Sequence, residues 1–186
     1  VAHALDAKTA RDVLKDQQKW LVDKEKPAKE QAKAPKTTVI STDDLAPRWL
    51  ADLRRSDYRK GWYHSDEKFA AQFTQRAGDT LVVSFDNLSN VNDASLARET
   101  WGYGFYGTAG WSHLGVMAFE KNWYRDDALF DFMEDKQCLL QGFSNVIMTG
   151  TSMRAYAATA FAELAPGCTV LASSPQATLA KARVPW

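Results

Sequence analysis

The chain of 186 residues has no excess charge of either sign, with 23 Lys plus Arg against 23 Asp plus Glu. A nucleic-acid-binding surface needs a basic excess or stripe. Outside the Lys-rich tract at 24–38 there is none, so nucleic acid is excluded as a partner. No apolar run approaches the roughly 18 residues that span a bilayer, so no membrane span is expected. Only two cysteines are present, Cys138 and Cys168, too few for a disulfide framework and wrongly spaced for a metal site. Both are expected as reduced thiols, with no metal and no cofactor. The N-terminus lacks a basic segment leading into an apolar one, so no signal peptide is expected and the cytoplasm is the default location.

What is present favours a packed domain. Apolar residues make up 45% of the chain and charged residues 25%, with seven Trp, six Tyr and nine Phe to fill a core. Residues 4–22 read as a weakly amphipathic helix carrying Val13, Leu14, Trp20 and Leu21. The following tract 24–38, rich in Lys and Ala and broken by Pro27 and Pro35, suits a solvated linker. Residues 1–38 are therefore a helical extension with a linker, and 39–186 form one domain. In that domain, Thr42 and Asp43 can cap a helix running to about Arg55, with Pro47 in its first turn and Leu45, Trp49, Leu50 and Leu53 on one face. Residues 57–75 are aromatic and polar without one clear period, and no element is assigned there.

From residue 78 the pattern is regular. Four compact apolar runs, LVVSF (81–85), LGVMAF (114–119), VIMTG (146–150) and TVLASS (169–174), read as strands. Asp126 and Asp127 open a helix carrying Leu129, Phe132, Met133, Leu139 and Leu140, with Gly142 as its C-cap. An Ala-rich helix follows Ser152 and stops at Pro166-Gly167. Strands separated by helices, each strand continuously apolar, imply a mostly parallel sheet buried on both faces. The expected fold class is α/β, a three-layer arrangement.

The sharpest local signal is Gly150-Thr151-Ser152-Met153-Arg154, set between an apolar strand and a helix. A serine there sits on a tight turn at a strand's carboxyl end, where ligands bind in parallel α/β folds. The helix behind it directs N–H groups at the same point, favouring a developing negative charge. The segment resembles the nucleophile elbow, G-x-S-x-G, of the α/β-hydrolase family. The resemblance covers roughly residues 80–182, including the strand after the elbow helix. It implies Ser152 as nucleophile and an oxyanion hole made by the Met153 N–H with an N–H near Asn87 or Leu88. The substrate would be a small molecule with an ester, thioester or other acyl bond.

Two departures accompany the resemblance. Arg154 stands where the pattern has Gly; it either distorts the elbow, is tolerated there, or holds an anionic substrate. The 34 residues after Ser152 hold no His and no Asp, whereas the family's acid and His follow the serine. The hydrolase-like domain is therefore expected to be truncated at its C-terminus. His113 precedes a strand and would enter at its amino end, the wrong edge for Ser152, and His64 has a weaker claim.

The remaining motifs are weaker. GYGFYG (102–107) matches G-x-G-x-x-G, but a polar segment precedes it and a strand follows, so it is expected to be an aromatic loop. Asp86 ends a strand and can approach the elbow, while Asp79 and Asp93 read as turn formers. Trp123 and Tyr124 lie just past a strand's carboxyl end, a position suited to a substrate contact. Two functional readings follow: a serine hydrolase acting through Ser152, or a non-catalytic hydrolase scaffold serving as a binding module. A shortened sheet would leave TVLASS as an open edge, inviting a homo-oligomer.

Overall fold

The computed structural model describes residues 46–86, 91, 98–180 and 182–183. The chain divides into two compact units, Val1–Ala46 and Pro47–Trp186. The expected N-terminal helix and linker lie outside the described residues, as do Asn87, Leu88 and Asp93.

The second unit opens with helix α1 (Arg48–Arg55), preceded by Pro47 at its N-cap. Pro47 thus stands before the helix rather than in its first turn. Its fixed φ and missing N–H suit the entry to a helix, where no intrahelical acceptor is available. Trp49 and Leu53, one turn apart, are fully buried on one face.

The segment 57–75, to which no element was assigned, holds two strands: β1 (Gly61–Ser65) and β2 (Phe69–Thr74), paired antiparallel. The turn between them is set by Asp66, whose Oδ1 accepts from the N–H groups of Lys68 and Phe69 at 2.7 and 2.9 Å. All six residues of β2 are buried, including Gln72 and Thr74, which satisfy one another through a Gln72 Nε2 to Thr74 Oγ1 bond of 2.6 Å.

The apolar runs form β3 (Thr80–Phe85), β4 (Ser112–Ala118), β5 (Asn145–Thr151) and β6 (Thr169–Ser173). The sheet runs in the order β1-β2-β4-β3-β5-β6. β4, β3, β5 and β6 run parallel to one another, whereas β2 is antiparallel to both β1 and β4. This is a mostly parallel mixed sheet of the α/β class.

Alternate strand residues face opposite sides. Leu81, Val83 and Phe85 of β3 join Leu114, Val116 and Met148 in the largest core cluster. That side is covered by α3 (Asp127–Asp135), α4 (Gln137–Gln141) and α5 (Met153–Ala160) through Leu129, Met133, Leu140, Met153, Ala157 and Ala158. Val82 and Ile147 face the other way, against Tyr106 of α2 (Tyr103–Thr108). Tyr103 of the same helix packs with Trp49 and Leu53 of α1. GYGFYG is therefore a short helix and not a loop, because Tyr103 and Tyr106, three apart, are both drawn into the core.

Asp126 caps α3 by accepting from the Ala128 N–H at 3.1 Å, at the place the sequence indicated. The helix expected to run on to Gly142 breaks at Lys136, whose N–H bonds back to Met133 O at 3.1 Å in a tightened last turn. Cys138 and Cys168 are both free thiols.

His113 lies in β4, fully buried, with Nε2 2.7 Å from the Ser84 hydroxyl. Burial disfavours its charged form and lowers its pKa from 6.5 to about 3. Its unfolded form therefore binds a proton that the native form refuses between those values. The resulting stability is complete above pH 6.5 and falls as pH drops towards 3, by up to ~1.4 kcal/mol per pH unit. Urea midpoints between pH 7 and 4.5 should thus fall more steeply for the wild type than for His113→Asn. Parallel profiles would show that His113 does not carry this acid sensitivity.

Candidate active site

Strand order fixes where a ligand can sit. The connection from β3 leads to β4 on one side, whereas those from β4 and β5 lead towards β5 and β6 on the other. With right-handed crossovers these connections cover opposite faces, as the helix clusters confirm. The crevice of such a sheet opens at the carboxyl ends of β3 and β5, where the chain's direction of travel reverses. Asp86 follows β3 at that edge, and Ser152 follows β5.

Ser152 links β5 directly to α5 with φ 57 and ψ −121. The positive φ is rare for a side-chain-bearing residue, and this ψ lies well outside the small left-handed region near +47°. Such a conformation persists only where its surroundings enforce it. Here the Ser152 N–H donates to Ser173 O of β6 at 2.9 Å, and Ser152 O accepts from Tyr156 N–H at 3.1 Å. The turn also needs the neighbouring helix to pass very close. A Cβ at Gly150 would stand 2.3 and 2.4 Å from the Arg154 carbonyl carbon and oxygen.

The consequence is an exposed Ser152 on a strained turn. Met153 opens α5, so its N–H belongs to the first turn, where the helix itself supplies no acceptor. That is one donor for a negative oxygen beside Ser152. Asn87 and Leu88, expected to supply another, lie outside the described residues.

Arg154 is the second residue of α5. Its guanidinium lies over the Trp101 ring, 4.7 Å from the centroid, and its Nε reaches Thr151 O only at 3.4 Å. Arg154 Nη1 and Trp101 Nε1 are both shielded from solvent and have no hydrogen-bond partner among the described residues. Burial lowers the Arg154 pKa, against an opposing influence from Tyr124 and Tyr106.

The neighbouring loop residues differ in role. Trp123 is half-buried and meets Tyr156 edge-on, with ring centroids 6.0 Å apart. Tyr124 is 1% exposed, and its hydroxyl donates to Asp86 O at 2.7 Å. Burial raises the Tyr124 pKa. Trp123 and Tyr124 both have positive φ, 59 for each, so the chain turns sharply after β4. The Asp86 carboxylate, 2% exposed, is paired with Arg98 rather than open to the crevice. Arg98 and Trp101 gave no sequence signal, because their partners lie 12 or more residues away in the chain.

Neither described histidine reaches Ser152. His113 pairs with Val82, and Val82 with Ile147, five residues short of Ser152. At ~3.3 Å per residue that is about 16 Å along the sheet. His64 stacks on Phe132 at 4.7 Å, on β1. Four strand spacings of ~4.8 Å separate β1 from β5, or about 19 Å. Hydrogen bonding from the Ser144 side chain and from its N–H, the latter at 3.2 Å, lowers the Asp79 pKa, and Asp79 acts as a turn former.

Among the described residues no group of three or more His, Cys, Asp or Glu side chains is placed to hold a metal ion. No described helix is long and apolar enough to cross a membrane. The class that the fold defines is α/β. Comparison with protein-family models, with curated proteins and with solved structures finds no match.

Proposed function

We propose that this chain carries the nucleophile-bearing part of a serine hydrolase acting on an ester, thioester or other acyl bond. The observation that carries the reading is the Ser152 backbone, φ 57 and ψ −121, which holds an exposed hydroxyl at the carboxyl end of β5. An ordinary surface serine gains nothing from such strain, and strained turns of this kind concentrate at functional sites. The arrangement agrees with a nucleophile elbow between a strand and a helix.

In this reading the Ser152 Oγ bonds to the substrate's carbonyl carbon, and the bond from that carbon to the leaving group breaks. The hydroxyl proton passes through a base to the leaving group. Water then attacks the acyl–serine ester and releases the acid, restoring the Oγ–H. The Met153 N–H faces the oxyanion in both halves, a contribution of about 2.7–4 kcal/mol for a well-placed donor. His64 and His113 do not supply the base, so the reading places it on another group.

The test is labelling of the folded protein with a fluorophosphonate probe. The expected result is a single adduct mapped to Ser152 and lost in Ser152→Ala. A folded protein that takes no label would favour the second reading, a hydrolase scaffold used for binding. One observation favours that alternative independently: β6 is an edge strand whose Val170 and Leu171 are only half-buried. An edge of that kind can pair with another chain, including a second copy of this one.

A further inference from the structure

We infer that Arg154 is the specificity residue of the Ser152 site and that it selects acyl substrates carrying a carboxylate. This rests on the acyl-transfer reading above and names the substrate class for it.

Arg154 occupies a costly position in three respects. It lies in the first turn of α5, where a cation opposes the positive end of the helix dipole. It is removed from water far enough to lower its pKa. Its Nη1 is shielded with no acceptor among the described residues, and its polar contact with Thr151 O is long at 3.4 Å. A guanidinium has five N–H donors and no way to shed its charge, so a buried one is expected to be paired.

Several other described cations carry a carboxylate partner. Arg98 has Asp86, Arg48 has Glu99 and Lys68 has Asp126. No described carboxylate is within ion-pair reach of Arg154. The ring beneath it adds a second such donor, since Trp101 Nε1 is also shielded and without an acceptor among the described residues. Two shielded donors share one stack beside an exposed serine, with no acceptor for either among the described residues.

The missing group is an anion of one charge. One guanidinium balances one negative charge, and the two oxygens of a carboxylate fit its planar fork. Arg154 as a whole is half-buried, so part of the guanidinium remains open to solvent. It is two residues from Ser152 on the same turn of backbone, so a carboxylate held there belongs to the molecule whose acyl bond meets the Oγ. The carboxylate can be on the acyl side of that bond or on the leaving alcohol; its recognition is the same.

The test uses the full chain with Ser152→Ala, which cannot be acylated, and measures binding calorimetrically. The probes are monomethyl glutarate, with the carboxylate on the acyl side, 3-acetoxypropionate, with it on the alcohol side, and neutral dimethyl glutarate. At least one monoanion is expected to bind about tenfold or more tightly than the diester, as a charge-assisted bond implies. The tighter monoanion shows which side carries the carboxylate. Adding Arg154→Gln should abolish that preference, and Arg154→Lys should keep part of it.

Equal binding of monoanions and diester overturns the inference, as does an unchanged preference in the Arg154→Gln protein or no binding of any probe. If Arg154→Gln does not fold, the comparison of monoanion with diester on Ser152→Ala decides alone. Fluorophosphonate labelling without carboxylate preference would sink this inference and leave the hydrolase reading standing. Carboxylate preference without labelling would leave Arg154 as a carboxylate-binding residue and sink the acyl-transfer reading, and with it the acyl part of this inference.

Discussion

Arg98→Met lowers the unfolding free energy by about 3–5 kcal/mol, the usual cost of removing one partner from a buried ion pair. Arg98 is 5% exposed and Asp86 2%, and the two carry a direct ion pair. Removing the guanidinium leaves the Asp86 carboxylate without its counter-charge in a site sealed from water. The effect should not stop at the pair. The Arg98 carbonyl accepts from Trp49 Nε1 at 2.8 Å, so it anchors α1 to the sheet, and Asp86 O accepts from the Tyr124 hydroxyl. These bonds use the backbone, so they outlast the substitution only if the local chain stays in place. Urea unfolding of Arg98→Met, Asp86→Leu and the double variant separates the two contributions. The double variant should be less destabilised than the sum of the singles, because no charge is left unpaired. A loss below about 1 kcal/mol in Arg98→Met, or strict additivity, would contradict a buried pair.

The parts of this fold visible in the sequence are those with short-range causes. β3, β4 and β5 were readable because strands buried on both faces carry compact apolar runs, as in Leu81–Val83 and Val146–Met148; β6, a half-buried edge strand, was readable from its own apolar run Val170–Ala172. The cap at Asp126 was readable for the same reason, since it acts on its own neighbours. The Ala-rich helix expected to stop at Pro166-Gly167 instead ends at Ala160, and a 3-10 turn, Phe161–Leu164, follows it. β2 was hidden because Gln72 and Thr74 break its apolar run, and their burial is made possible by Thr100, which donates to Gln72 Oε1 at 2.9 Å from 28 residues away. β1 was hidden because it is an edge strand whose last two residues are exposed. The elbow divides in the same way. Gly150 and Ser152 form a local motif, whereas the Arg154 stack on Trp101 and the Asp86–Arg98 pair exist only once the chain has folded. Arg154 itself was legible as a departure from a pattern, but not as a cation without a counter-charge.

Gly150→Ala should cost about 3 kcal/mol and abolish any reactivity of Ser152, although it adds a single methyl group. The new Cβ would stand 2.3 Å from the Arg154 carbonyl carbon and 2.4 Å from its oxygen. Those are backbone atoms of α5, so no side-chain rotation relieves the clash; the helix must shift away from β5 as a body. That shift acts on the bonds that hold Ser152, from its N–H to Ser173 O and from Tyr156 N–H to its own carbonyl. With those lengthened, the strained Ser152 backbone has nothing to enforce it and relaxes. Gly167→Ala provides the control. Gly167 has φ 86 with nothing within 4 Å of an added Cβ, so its replacement carries only the conformational penalty, about 1–2 kcal/mol. Chemical unfolding measures both, and fluorophosphonate labelling tests whether Ser152 responds to Gly150→Ala alone. If Gly150→Ala were no more destabilising than Gly167→Ala, α5 would not be locked against β5, and the turn at Ser152 would not be the rigid platform that its dihedral angles require.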